Sequence, residues 1–447
     1  MATAPHNGFQ CVTWACGTER KQGFGMPYWV MMQAVVQAKP QQFSLQSAIA
    51  ASLKKSAAVQ IANKVIVADA YRTGSLRSGY QPVITGLAQV TVFDQATRIR
   101  FVPGAPATQT IPGQMEAFTL SLAQRIDING QIKLAVSQSK LQQIADQCAL
   151  GGVQRARVLL TVETYLHVQR MRARIAAADL ALKSAIAHRM LAQAAFDEGT
   201  GQRVDLLRAE TAVVEAELLL SVMESGEATY RATLNNLIDV QLVSELELEP
   251  VSLGKISVSL DHLVRQAMDT RDDSLRADAV FRTAEFGVRI VSAGGRPSAN
   301  LSALTADYPT FSFQTPRERV GQISLGITFP ISDGKFVQNK VNEALQVATS
   351  ARIERERTRN AVALDVTRGY IAWQQAERAA DAALRARVFA TEARDIARVR
   401  YQEHVGSYLD LLDAQVVQVR SDALVIDTAF DALIARATLL SAAGNQL

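Results

Sequence analysis

Gly406-Ser407-Tyr408-Leu409-Asp410-Leu411-Leu412-Asp413-Ala414 restates, 205 residues further on, the stretch Gly201-Gln202-Arg203-Val204-Asp205-Leu206-Leu207-Arg208-Ala209. Working outward, Phe118-Thr119-Leu120-Ser121-Leu122 matches Ile323-Ser324-Leu325-Gly326-Ile327 at the same offset. Further out, Ser44-Leu45-Gln46-Ser47-Ala48-Ile49 returns as Ser259-Leu260-Asp261-His262-Leu263-Val264, and Pro82 as Pro297, at an offset of 215. Matches in one order and at near-constant spacing mark an internal repeat rather than two unrelated domains. The change of offset puts an insertion between residues 93 and 117, in a loop about ten residues longer than its partner near 307–320. The expected division is an N-terminal segment over 1–39, a first repeat over 40–245 and a second over 246–447.

Each half reads as helix, strand, loop, strand, long helix, tight turn, helix. Residues 131–198 hold no proline and only the glycine pair Gly151-Gly152; residues 335–402 hold no proline and one glycine, Gly369. Either segment as one helix spans roughly 100 Å at 1.5 Å per residue. Helices that long need partners. From Leu409 a 3-4 spacing runs through Leu412, Val416, Val419, Ala423, Ile426, Phe430, Leu433, Ala437 and Leu440, a heptad seam for the return helix. The first half keeps a looser seam through Val204, Leu207, Val214 and Leu218. Val366, Tyr370 and Trp373 share heptad spacing, which favours core packing over a ligand role. On the helices alone, a soluble coiled-coil scaffold fits equally well.

The four strand-like segments alternate. Ile84, Ala88, Val90 and Val92 oppose Thr85, Gln89 and Thr91; Phe118, Leu120 and Leu122 oppose Thr119, Ser121 and Ala123. Leu301 and Ala303 oppose Asn300 and Ser302, and Ile323, Leu325, Ile327 and Phe329 oppose Gln322, Ser324, Gly326 and Thr328. Alternation over about ten residues is the pattern of membrane β-barrel strands. Four strands are too few to close a barrel, and open edges do not exist in lipid, so several chains must share one.

Composition narrows the function. Hydrophobic residues make up 48% and aromatics 6%, a mix suited to close helix packing, and the net charge of +4 comes without a basic run for nucleic acid. Cys11, Cys16 and Cys148 form no disulfide framework or metal motif, and five scattered histidines add none. No catalytic triad, paired-carboxylate cleft or phosphate loop can be assembled, so neither an enzyme nor a cofactor is expected. Arg20 and Lys21 precede Gln22–Ala38, which resembles a weak export signal with a small-residue cleavage site before Lys39.

Taken together, the tandem repeat, Tyr401-Gln402 with the 406–414 motif, and the ending Leu439-Leu440-Ser441-Ala442-Ala443-Gly444 resemble the TolC-like outer-membrane efflux family over roughly residues 40–445. The resemblance implies a mainly α fold with a small β part, completed as a homotrimer: a twelve-stranded barrel in the outer membrane above a helical tunnel in the periplasm. It also implies a periplasmic adaptor protein and an inner-membrane pump as partners, outer-membrane lipid around the barrel, and a passive exit duct as the function. Type I protein secretion is the alternative within the class.

The same resemblance puts the two matching turns at the periplasmic tip. Asp410 and Asp413, one helical turn apart, then give acidic rings that favour cations at a constriction. Ser407 and Asp410 equally have N-cap and N3 spacing. Asp205 is the first-half counterpart, and Arg208 at its partner position offers a bridge to a neighbouring hairpin. Gly199, Thr200 and Gly201, with His404, Val405 and Gly406, are the expected adaptor-contact turns. The chain departs from the family pattern at His404, where the first half has Gly199, with a glycine two residues on at Gly406.

Overall fold

The computed structural model describes residues 41–111, 113–251, 258–309, 318–403 and 405–445. The possible export signal, Cys11, Cys16 and His404 lie outside the described residues. In the first half, β1 (Gln41–Phe43), α1 (Leu45–Lys55), α2 (Ala57–Arg77), β2 (Val83–Val92), β3 (Thr97–Ile99), β4 (Thr108–Ile111), β5 (Gln114–Ile126), α3 (Gln131–Asp197) and α4 (Arg203–Ile238) follow in order. The second half runs β6 (Leu246–Leu248), α5 (Leu260–Thr270), α6 (Asp272–Ala293), β7 (Ser298–Tyr308), β8 (Glu318–Thr328), α7 (Phe336–Gln402) and α8 (Tyr408–Ala442).

The two long helices are both 67 residues. Each starts beneath an aspartate: Asp127 accepts the backbone N–H groups of Ile132 and Lys133, and Asp333 those of Lys335 and Val337. These carboxylates satisfy otherwise orphaned first-turn donors and suit the positive end of the helix dipole. The longer loop of the first hairpin carries the short β3–β4 pair.

The single leading helix expected in each half is instead broken in two. Ser56 ends α1 and caps α2 by accepting from Val59 N–H, and Arg271 separates α5 from α6 while its side chain bridges Asp273 at 2.8 Å and Asp365 at 3.3 Å. Parallel pairing of β1 with β6 joins the two repeats beside these breaks. Ala48, Tyr165, Val168, Leu234, Ile238 and Leu246 form the core there, and the Tyr165 hydroxyl lies between the backbone carbonyls of Phe43 and Glu249, at 2.9 and 2.8 Å, its one proton shared between them.

The heptad seams are also corrected. Phe430, Leu433 and Ala437 of α8 pack on Val158, Val162 and Leu166 of α3, across the repeat rather than on α8's own hairpin partner. α8 also packs along α7, with Leu439 on Val362 and Val366 near one end, Arg387 bridging Asp422 at 2.8 Å, and Tyr401 against Tyr408 near the other. Tyr370 and Trp373 lie against the Leu439 cluster, as their spacing suggests. Along α4 the expected seam faces outward: Val214 and Leu218 are 63% and 65% exposed, whereas Leu206, Ala209 and Val213 are buried. Apolar residues occupy two faces of α4, so the spacing alone fits two seams.

Gly151 has a packing reason. A β-carbon there would stand 2.5 Å from a carboxylate oxygen of Asp272, the first residue of α6, which bridges Arg155. Gly151→Ala is therefore expected to displace the Asp272 carboxylate and loosen its bridge to Arg155, destabilising the chain by about 1 kcal/mol. Denaturant melting of the purified protein checks this, with Gly152→Ala as the milder comparison, because its nearest contact is 3.7 Å.

Candidate functional site: the membrane sheet and the helical tips

Four strands form one antiparallel sheet in the order β2-β5-β7-β8. Its register sets Ile84, Leu122, Ala303 and Ile323 in one row across all four strands. Leu301 and Leu325 pair in the row nearer the helices, and Ala299 pairs Ile327 beyond them. The opposite face holds Thr85 paired with Ser121 and Ser302 paired with Ser324, each hydroxyl pair hydrogen-bonded at 2.7 Å. Ile323 is 80% exposed and Ile84 and Leu325 are each 62% exposed, so no helix among the described residues covers the apolar face. A soluble scaffold would need a packing layer there. β7 and β8 are 11 residues each, enough for a tilted membrane crossing.

Exposed Tyr80, Phe329, Ile331 and Phe336 lie where the sheet meets the helices, the position of an interfacial girdle. At the far end Asp307 and Arg319 pair at 3.7 Å, so the charges on the apolar face sit at its rim. β2 and β8 each keep one unpaired edge among the described residues. No helix among the described residues is long and apolar enough to cross a membrane.

At the other end of the long helices the two turns share a matching pair of closing backbone hydrogen bonds. Thr200 and Gly201 both donate to the Ala195 carbonyl, at 2.9 and 2.8 Å; Val405 and Gly406 both donate to the Arg400 carbonyl at 2.9 Å. Gly406 is thus the counterpart of Gly201, not a displaced Gly199. A β-carbon would come within 3.0 Å of Ala195 at one and 3.1 Å of Arg400 at the other, which explains glycine at both positions. Gly199 has φ +76° and takes the left-handed conformation itself.

The four gate candidates have different surroundings. Asp410 completes a capping box, accepting from Ser407 N–H while the Ser407 hydroxyl accepts from Asp410 N–H. Asp413 is exposed and forms no ion pair among the described residues. Arg208 reaches Asp205 of its own hairpin at 3.4 Å, so within one chain the guanidinium is engaged locally.

The motif's tyrosines proved more informative than its acids. Tyr408 is buried with Ala192 of α3 and Ala209 of α4, and Tyr401 meets it edge-on with centroids 5.7 Å apart. Together they hold one hairpin tip to the other. Burial pushes the Tyr408 hydroxyl up to about 12, helped by Tyr401 and by the negative charge of Asp205. Above this contact a groove of about 530 Å³ separates the hairpins, lined by Ala178, Ala181 and Ala185 of α3 and by Val416 and Val419 of α8. It closes higher up, where Arg174 bridges Asp427 at 2.9 Å and Arg170 bridges Asp431. His188 lies along the groove, and burial, then Arg394 and Arg398, lower its pKa.

Residues 263–445 match the family model described as outer membrane efflux protein. The second half of the chain is thus similar to the outer membrane efflux proteins, in keeping with the TolC-like resemblance of its motifs. The outer membrane efflux protein BepC of Brucella suis biovar 1 is 23% identical over 325 residues, covering 70% of this chain and 69% of that protein. Among solved structures, CusC superposes with a TM-score of 0.78 at 15% identity, over 90% of this chain and 92% of its own. The outer membrane protein VceC of Vibrio cholerae gives 0.76 at 17% identity, over 90% and 96%. The family model covers most of the second repeat, and the structural likeness extends to the first. The sheet and the long helices of this chain thus share the fold of these solved outer membrane proteins.

Proposed function

We propose that three copies of this TolC-like chain close into one duct that conducts solutes passively out of the cell, with its gate at the helical tips. The observation that carries this reading is the four-stranded sheet, apolar on one uncovered face and open at both edges. Three copies give twelve strands and no free edge. The outward apolar residues of α4, Val214, Leu218 and Val222, and those of α7, Leu384, Val388 and Ile396, give each copy two unmatched faces for its neighbours.

A periplasmic adaptor then meets the tips at Gly199, Thr200, Gly201, Val405 and Gly406, with His404, outside the described residues, kept as a further contact from the sequence, and an inner-membrane pump supplies the cargo. Thr200 and Val405 are exposed at the turns, which supports this placement. Asp413, free of ion pairs among the described residues, is the better candidate for a cation-selective ring; Asp410 already serves its own helix end, and Asp205 is bridged by Arg208.

Single-channel recording in a planar bilayer tests this. The wild type is expected to give discrete cation-selective steps, and Asp413→Ala with Asp410→Ala to lose much of that preference while still inserting. Unchanged selectivity in the double variant would remove the acids from the gate. Failure of well-folded wild type to insert would remove the duct itself.

A further inference from the structure

The polar face of the four-stranded sheet is set row by row by its register. Val83, Ala123, Ser302 and Ser324 form one row, Thr85, Ser121, Leu304 and Gln322 the next, and Leu87, Thr119, Ala306 and Val320 a third. None of these side chains is charged. The row on the helix side of the first is Arg125, Asn300 and Gly326. Arg125 stands two residues along β5 from Ala123, and side chains two apart share a face of a strand. It is therefore the first charge on this face, at the level where the sheet gives way to the helices.

The surroundings leave that charge without a counterion. Arg125 is exposed and forms no ion pair among the described residues. Its Nη2 donates to Gln131 Oε1, a neutral partner at the start of α3, at 3.4 Å. Its cross-strand neighbour Asn300 is neutral, and Gly326 beyond it brings no side chain. The nearest acid in the chain, Asp127, accepts from the Ile132 and Lys133 N–H groups and from the Tyr80 hydroxyl. The N-terminus of α3 carries about half a positive charge of its own, which offsets much of that carboxylate.

We propose that Arg125 gives the duct a positive collar where the barrel meets the helical tunnel, favouring anions, including solutes that carry a carboxylate or phosphate. The collar rests on the duct reading: with the apolar face against lipid, the polar face turns inward and each copy contributes one guanidinium to the same cross-section. Twelve strands about 4.8 Å apart and tilted by about 40° close a wall roughly 12 Å in radius at the backbone. The Debye length is about 10 Å at 0.1 M salt and about 30 Å at 0.01 M, so at low salt the collar's field fills that cross-section. The acids at the tips and this collar then act in series, one end favouring cations and the other anions.

The test is the reversal potential of the full-length channel in a planar bilayer under a potassium chloride gradient, for wild type, Arg125→Gln and Arg125→Lys. Arg125→Gln is expected to raise the cation-to-anion permeability ratio about two-fold or more near 0.01 M salt, and the difference to shrink towards about 1 M. Arg125→Lys should stay close to wild type, because it keeps the charge. A glutamine channel that inserts, conducts and keeps the wild-type reversal potential would overturn the collar and leave the duct standing. Equal shifts in the lysine and glutamine variants would also overturn it, assigning Arg125 to positioning Gln131 instead. Failure of well-folded wild type to insert would remove the duct, and the collar with it.

Discussion

Arginine at Ile323 and Leu325 together is expected to keep the protein out of the outer membrane. Both side chains stand on the uncovered apolar face, 80% and 62% exposed, and both belong to the middle of an 11-residue strand. A guanidinium on the lipid face near the midplane costs about 2–4 kcal/mol. Each chain carries both changes, so a three-chain barrel would bear six such charges, more than the margin of a typical fold. The comparison is Gln322→Arg, one residue along on the opposite face, where it pairs Leu304 across a surface that already holds Thr85 and Ser121. That variant should still assemble, because strand neighbours point to opposite sides of a sheet. Membrane fractionation with a heat-modifiability gel reads both. If Ile323→Arg with Leu325→Arg assembled as readily as Gln322→Arg, the face would not meet lipid.

The strand alternation that supports this prediction is visible in the sequence, because period 2 leaves no choice of face once the apolar residues are written down. The long helices were also legible: their lack of proline and near-lack of glycine left nothing to interrupt them, and both proved to be 67 residues. The break at Arg271 was hidden, since its bridge to Asp365 lies 94 residues along the chain, and the break at Ser56 rests on a local cap to Val59 that a lone serine inside a helical stretch does not announce. The α4 seam was misplaced for another reason. Val204, Leu207, Val214 and Leu218 keep helical spacing as well as Leu206, Ala209 and Val213 do, and only burial decides between two apolar stripes on one helix. In the turns, the family pattern drew attention to Gly199 and His404, while the shared constraint fell on Gly201 and Gly406. Their reason is close approach to the preceding helix, which requires coordinates to see. The acids at 410 and 413 stood out as charges, but Tyr408 was legible only as part of a motif, because nothing in its local sequence says that it crosses to Ala192 and Ala209.

That crossing leads to the other large effect. Tyr408→Ala with Tyr401→Ala is expected to raise the conductance of the inserted channel several-fold and lengthen its open times. Tyr408 is 5% exposed between the two hairpins, and truncating a buried aromatic costs about 3–5 kcal/mol; the edge-on pair adds about 1 kcal/mol. Between this contact and the Arg174–Asp427 bridge the hairpins are parted by the groove, spanned by the hydrogen bond that Gln415 Nε2 donates to the Ser184 hydroxyl at 3.0 Å, so beyond that bond little opposes separation of the tips. Tyr408→Phe should behave as wild type, since the ring makes the contact. The pH dependence has a definite sign. With its pKa pushed up to about 12, the neutral phenol belongs to the folded contact; its stabilisation is full below about pH 10 and lost as pH rises through about 12. Gating by this contact should therefore be flat through the neutral range. A steep change in open probability near neutral pH that persisted in Tyr408→Phe would assign the titration to another group, with His188 in the groove wall the first to replace. Unchanged conductance in the double alanine variant would show that the tips are held elsewhere, and would return attention to Asp205 and Arg208.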